Sequence, residues 1–152
     1  MIALNHALTG AVIGLTVTNP WLALPLAFVS HLALDAIPHY DFPGDELARI
    51  RSKGFLYFQI LGNAVLCFGV VLALGIAQPA HWLLGATCAF VAAMPDMFKI
   101  GKFLHATRHN TLIQGNWFNR LHHDIQWKVG PGLWWTETIW CALFTSLLIA
   151  RL

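Results

Sequence analysis

The sequence predicts an all-α, multi-pass membrane bundle of about five membrane helices plus one helix in the interface, and three observations carry that prediction. Hydrophobic residues make up 57% of the 152-residue chain and charged residues only 11%, against roughly 45–50% and 25% in a soluble domain. Apolar segments recur at about the length a helix needs to cross a hydrocarbon core of about 30 Å. Once those segments are stacked up and down, every Lys and Arg except Arg151 falls on one side. With no linker or low-complexity tract to divide it, residues 1–152 read as one integral-membrane domain.

The first segment, Ala3–Thr18, is apolar but reaches only about 24 Å at about 1.5 Å per residue. It must thin the bilayer, sit partly in the interface, or enter without crossing fully. Its start, M-I-A-L-N-H-A-L, lacks the basic region of a signal peptide, so it is expected to stay in the mature chain. Gly10 and Gly14 form a small-x-x-x-small pattern that permits close approach to another helix, most simply the second, which follows the Asn19-Pro20 turn. That second segment is Trp21–Ile37, ended by Pro38. Phe55–Ala77, His81–Phe98 and Leu133–Ala150 are the third, fourth and fifth. Between the last two, Phe103–Lys128 is too polar to span. From Ile113 its apolar residues recur four apart at Trp117, Leu121 and Ile125, the pattern of a helix lying in the interface. Cys67, Cys88 and Cys141 sit inside apolar segments without C-x-x-C spacing, which makes them packing residues.

Basic residues set the orientation. Arg49, Arg51 and Lys53 lie between the second and third segments, and Lys99, Lys102, Arg108, Arg120 and Lys128 between the fourth and fifth. The positive-inside rule makes those loops and the N-terminus cytoplasmic, and it accounts for the basic residues without nucleic acid. Trp21 and Trp82 then mark the outer interface, and Trp127, Trp134 and Trp135 the inner one.

Chemistry concentrates on that inner side. His31 and Asp35 are four apart, so on a helix they share a face. Asp96 follows Pro95 at the inner end of the fourth helix, His6 stands at the inner start of the first, and Glu137 lies about one turn into the fifth. The interfacial helix adds His122, His123 and Asp124, with Gln126 four residues beyond His122. A carboxylate at membrane depth costs a few kcal/mol, and at a helix C-terminus the macrodipole opposes it too. A divalent cation would reverse that cost. Mixed nitrogen and oxygen ligands without thiolate fit zinc, with manganese or iron close behind.

Each residue also has a purely structural alternative. His31 and Asp35 could satisfy each other. Asp96 could pair with Lys99 or Lys102, and His6 could be an interfacial side chain. His39, Asp41, Asp45 and Glu46 read as a solvated loop, and His105 and His109 as a helical face beside Arg108. Of the adjacent pair, His122 should face the protein and His123 the water. What the separate alternatives do not explain is why the cluster is one-sided.

N-H-A-L-T-G, S-H-L-A-L-D-A-I-P-H-Y-D, M-P-D and F-N-R-L-H-H-D-I-Q-W together resemble small bacterial membrane proteins grouped with the membrane-bound metal-dependent hydrolases, which are similar in helical layout to zinc-dependent phospholipase C. The resemblance implies an all-α fold in which His6, His31, Asp35, Asp96 and His122 bind divalent metal. The larger members carry P-D-x-D-H and H-R-G-x-T-H segments. This chain has only Met94-Pro95-Asp96 of these.

Two readings of function follow from different classes. In one, the chain is a metal-dependent hydrolase of a lipid or lipid-linked phosphoester at the cytoplasmic leaflet, with Glu137 as an added ligand or general base. In the other, the cluster binds a metal, lipid or partner without chemistry. A bis-histidine haem protein would use the histidines but not the carboxylates. No Ser-His-Asp arrangement, phosphate-cradling glycine loop or dinucleotide fingerprint is recognisable. Reporter fusions test the topology: they should place Arg51 and Arg108 in the cytoplasm and residues after Arg151 outside. A cytoplasmic C-terminus would mean that Ala3–Thr18 does not cross.

Overall fold

Helices form wherever the sequence runs apolar. The computed structural model describes residues 1–40, 57–109, 111–112, 116–126 and 129–152. Within them α1 covers Ala3–Thr16 and α2 Pro20–Asp35. A π-helical stretch, Tyr57–Gly62, leads into α3, Asn63–Ala77. Then come α4, Trp82–Met97, and α5, Ile100–His109. The amphipathic α6, Trp117–Ile125, precedes a 3-10 turn at Pro131–Leu133 and α7, Trp134–Ile149. The described residues are all-helical, with one isolated bridge between His39 and Val129. There the Gly130 N–H donates to the His39 carbonyl at 3.2 Å, tying the chain after α2 to the chain before α7.

Local chemistry sets the helix ends. The Asn19 side chain accepts from the Trp21 N–H at 3.0 Å, while Pro20 at the first helical position gives up no needed donor. α2 stops at Asp35, three residues before Pro38, which cannot continue it. The fourth helix runs further than its apolar segment suggests. After a turn at Phe98 and Lys99, Ile100, Phe103 and Ala106 renew an apolar stripe, with Ala106 fully buried, and α5 extends the run to His109.

Nine of the 14 residues of α1 are buried, which makes α1 the central helix. Gly10 and Gly14 pack against α4, not against α2 as the chain order suggested. A Cβ on Gly10 would lie 2.3 Å from the Cys88 carbonyl oxygen, and one on Gly14 would lie 2.5 Å from that of Leu84. The glycines therefore let two backbones touch. Sequence adjacency favoured α2, but α2 makes its own close approach to α4 through Ala23 and Ala27, which pack with Cys88 and Ala92. On the other side Leu8 and Ala11 pack with Leu74, Ala89 and Leu148, drawing α3 and α7 around α1.

Among the described residues, two stretches, Ile60–Ala77 and the run Trp82–His109, are long and apolar enough to cross a membrane. Both keep large apolar side chains exposed, among them Phe68, Ile76, Leu83 and Phe90. With 14, 16 and 16 residues, α1, α2 and α7 reach about 21–24 Å.

The α1–α4 contact yields a matched pair of substitutions. Gly69→Ala, on α3 with nothing within 4 Å of a new Cβ, should gain up to about 1 kcal/mol of helix propensity. Gly10→Ala should instead lose about 1–3 kcal/mol through overpacking. Thermal unfolding in detergent compares the two.

Candidate metal centre

Three stripes of small residues each end in a polar side chain, and the polar ends meet. On α2 the stripe is Ala23, Ala27, His31 and Asp35; on α1 it is His6, Gly10 and Gly14; on α4 it is Cys88, Ala92 and Asp96. All are spaced four apart, so each polar group lies on the face its helix buries. The close helix packing carries His6, His31 and Asp35 out of solvent, and His122 reaches the same point from α6.

His31 Nδ1 lies 2.7 Å from the carbonyl oxygen of Ala92. A carbonyl can only accept, so Nδ1 donates, and Nε2 is the ring nitrogen turned toward the other side chains of the group. That Nε2 stands 3.1 Å from Nε2 of His122 and 3.4 Å from Oδ2 of Asp35. His122 Nε2 also contacts Asp35 Oδ2 directly. Asp96 Oδ1 completes the group 3.9 Å from His31 Nε2. The ligand atoms of His31, Asp35, Asp96 and His122 all lie within 4.8 Å of one another, so the four could hold a metal ion.

The spacing can be compared with what a metal requires. Bonds of about 2.0–2.1 Å to nitrogen and oxygen in a tetrahedron put neighbouring ligand atoms about 3.3–3.4 Å apart. The His31–His122 and His31–Asp35 separations, 3.1 and 3.4 Å, fall at that edge length. The same closeness argues against bis-histidine haem, whose two nitrogens face each other across the iron at about twice a bond of about 2.0 Å.

The surroundings orient the carboxylates. Gln126 donates its side-chain amide to Asp35 Oδ2 at 2.8 Å. Asp35 Oδ1 accepts from the Met1 amino group at 2.6 Å and lies 3.2 Å from His6 Nε2. His6 stacks on His31 with ring centroids 3.9 Å apart, and its Nδ1 is buried without a hydrogen-bond partner among the described residues. Asp96, the one half-exposed member, accepts from Lys99 Nζ at 3.0 Å. Its structural alternative and its place in the cluster are therefore both realised.

Glu137 sits beside the group rather than in it. Its Oε2 accepts from Asn5 Nδ2 at 2.7 Å and from the Ile2 N–H at 3.3 Å, while Asn5 Nδ2 also reaches the Glu137 carbonyl at 3.1 Å. Glu137 Oε1 is buried without a hydrogen-bond partner among the described residues. The carboxylate thus clamps the start of α1 to α7 one residue before His6.

The other candidates separate clearly. His122 is fully buried and the His123 side chain largely exposed, as their faces predict. His105, half-buried, and His109, exposed, meet each other on α5 with tilted rings and centroids 4.5 Å apart, and neither belongs to the group of four. His39 departs from the solvated-loop reading: it is buried, with Nδ1 2.7 Å from the Ile37 carbonyl oxygen. Asp41, Asp45, Glu46, Arg49, Arg51, Lys53, Ile113 and Lys128 lie outside the described residues. His81 precedes α4, and Asp96 lies about 22 Å further along that helix.

No family model matches the chain, and no curated protein or solved structure does either. The group's chemistry has to be read from its own geometry.

Two sets of substitutions follow. Losing an outer hydrogen bond to a ligand costs about 10–100-fold in metal affinity. Gln126→Leu should weaken binding within that range, and His31→Ala or Asp35→Ala by more. His81→Ala should leave metal content unchanged, as read by elemental analysis of the purified protein.

Proposed function

We propose that this chain is a multi-pass, metal-dependent hydrolase of the bacterial cytoplasmic membrane, acting on a lipid or lipid-linked phosphoester at the cytoplasmic leaflet. The observation that carries the proposal is the convergence of His31, Asp35, Asp96 and His122, whose ligand atoms all lie within 4.8 Å of one another with three of the four residues buried. Imidazole and carboxylate donors without thiolate favour zinc, with manganese or iron next. His6 joins as a fifth ligand through the nitrogen it already holds near Asp35 Oδ1.

Membrane residence is supported by the outer faces. Trp21, Leu22 and Val29 on α2 and Ile139, Leu143 and Ile149 on α7 are exposed, as on the two longer stretches. Water would leave these contiguous apolar faces uncovered, whereas lipid covers them. The short α1 is wrapped by its neighbours and can cross within the bundle without meeting lipid along its whole length. α6, with Trp117 and Leu121 exposed and His122 buried, suits the membrane surface, presenting a ligand inward.

A bound divalent cation supplies Lewis acidity, acidifying water and polarising a phosphoryl oxygen. The residues do the rest. Ala92 fixes the His31 tautomer, Gln126 aims Asp35, and Lys99 sits where an anionic headgroup would approach Asp96. Glu137 keeps one oxygen unpartnered and is the candidate general base.

The second reading is a metal or lipid site without turnover. It is favoured by the enclosure of the group, since only Asp96 among the four is half-exposed, and by the missing H-R-G-x-T-H segment. Glu137→Gln decides between the readings. It keeps the side chain's volume, removes the base and should retain metal. Lipid-phosphoester turnover lost on chelation, restored by metal and absent in the metallated variant supports the enzyme. Well-metallated wild-type protein that turns over no member of a broad lipid-phosphoester panel would leave the non-enzymatic reading.

A further inference from the structure

A cavity of about 1040 Å³ opens beside the cluster, bounded by α1, α3 and α4. Its two ends differ in chemistry. At one end it is lined by Asp96, Lys99, Lys102, Asn119 and Gln126, so it meets the cluster through the one half-exposed ligand and through the amide that holds Asp35. From there it runs between α3 and α4 over small residues, Ala64, Cys67, Ala86, Ala89 and Ala93, with exposed Phe68 and Phe90 also lining it.

Its length matches a physical scale. From Asp96 to Ala86 along α4 the lining covers about 15 Å, and from Asn63 to Val71 along α3 about 12 Å, at about 1.5 Å per residue. The longer wall matches the depth of one leaflet of a hydrocarbon core about 30 Å thick. A groove with two lysines and amide groups at one end, Lys99 being paired there with Asp96 at 3.0 Å, and a leaflet-deep apolar wall behind them is complementary to an amphiphile with an anionic head.

We propose that this groove binds the hydrocarbon tail of an anionic, phosphate-bearing membrane lipid, with its headgroup at Lys99 and Lys102 beside Asp96. The site thereby selects substrates that carry a tail. Choosing a lipid phosphoester as substrate rests on the hydrolase reading, whereas occupation of the groove is measured separately from it. Small side chains on both walls are what leave room, so a large side chain there should exclude the tail.

The test uses the full-length protein in vesicles of phosphatidylethanolamine and phosphatidylglycerol. These contain a trace of phosphatidylglycerol bearing a photoreactive diazirine midway along one acyl chain. After irradiation, peptide mapping should find label enriched several-fold at Cys67, Val71, Ala86 and Ala89 over the outward-facing Val65, Leu72 and Leu83. Ala93→Phe should remove most of the groove label. Ala64→Trp, at an exposed position that tolerates bulk, should do the same without challenging the fold. Label spread evenly over inward and outward positions, or groove label unchanged in both folded variants, would overturn the tail site. Labelling requires no turnover. A labelled groove in an inactive wild-type protein would retire the hydrolase reading and keep the tail site, while an unlabelled groove in an active enzyme would do the reverse.

Discussion

Everything in the site depends on how closely α1 and α2 approach α4. Gly10 and Gly14 bring the α1 backbone against the carbonyls of Cys88 and Leu84, and Ala23 and Ala27 bring α2 against Cys88 and Ala92. The polar groups at the ends of those stripes have no independent route to one another. His6 stacks on His31 because its helix is already in contact one turn further along, and His31 reaches the Ala92 carbonyl because Ala27 let α2 come close. Packing of small residues therefore acts here as the positioning device for chemistry, the arrangement expected where helix association relies on close backbone contact.

That arrangement also explains how so many polar atoms are tolerated at depth. A buried carboxylate without partners costs several kcal/mol, yet Asp35 has contacts on both oxygens: Gln126 and His122 at Oδ2, and the Met1 amino group and His6 at Oδ1. Outside this shell a second polar layer, Asn5 with Glu137 and Thr9 with Trp140, fastens α1 to α7. The cluster is buried at His31, Asp35 and His122 and meets the cavity at Asp96 and Lys99. Hydrogen-bonded ligands with one flank on a cavity suit a centre that admits an outside molecule.

Much of this was legible in the sequence because the relevant signals are local. The i, i+4 spacing of His31 and Asp35, the placement of His6 and Asp96 at helix ends, and the choice of His122 over His123 all follow from helical periodicity, and the structure gathers these residues. The α1 partner was not legible: Gly10 and Gly14 announce a close contact but not with whom, and the nearest helix in sequence was the wrong guide. The Ala92 carbonyl that fixes His31 has no side-chain signature at all. Asn5, adjacent to His6, was visible as a residue but not as the clamp on Glu137, which depends on how α1 meets α7. The extension of the fourth helix to His109 has no clear signal, because α5 is amphipathic and reads as too polar to continue an apolar span.

The central claim is that His31, Asp35, Asp96 and His122 form a divalent-metal centre, and X-ray absorption of the purified, metal-replete protein tests it most directly. The account predicts tightly bound metal with a first shell of nitrogen and oxygen at about 2.0–2.2 Å, with outer scattering from at least two imidazole rings. A folded protein that takes up no divalent metal, or a first shell containing sulfur at about 2.3 Å, would contradict it.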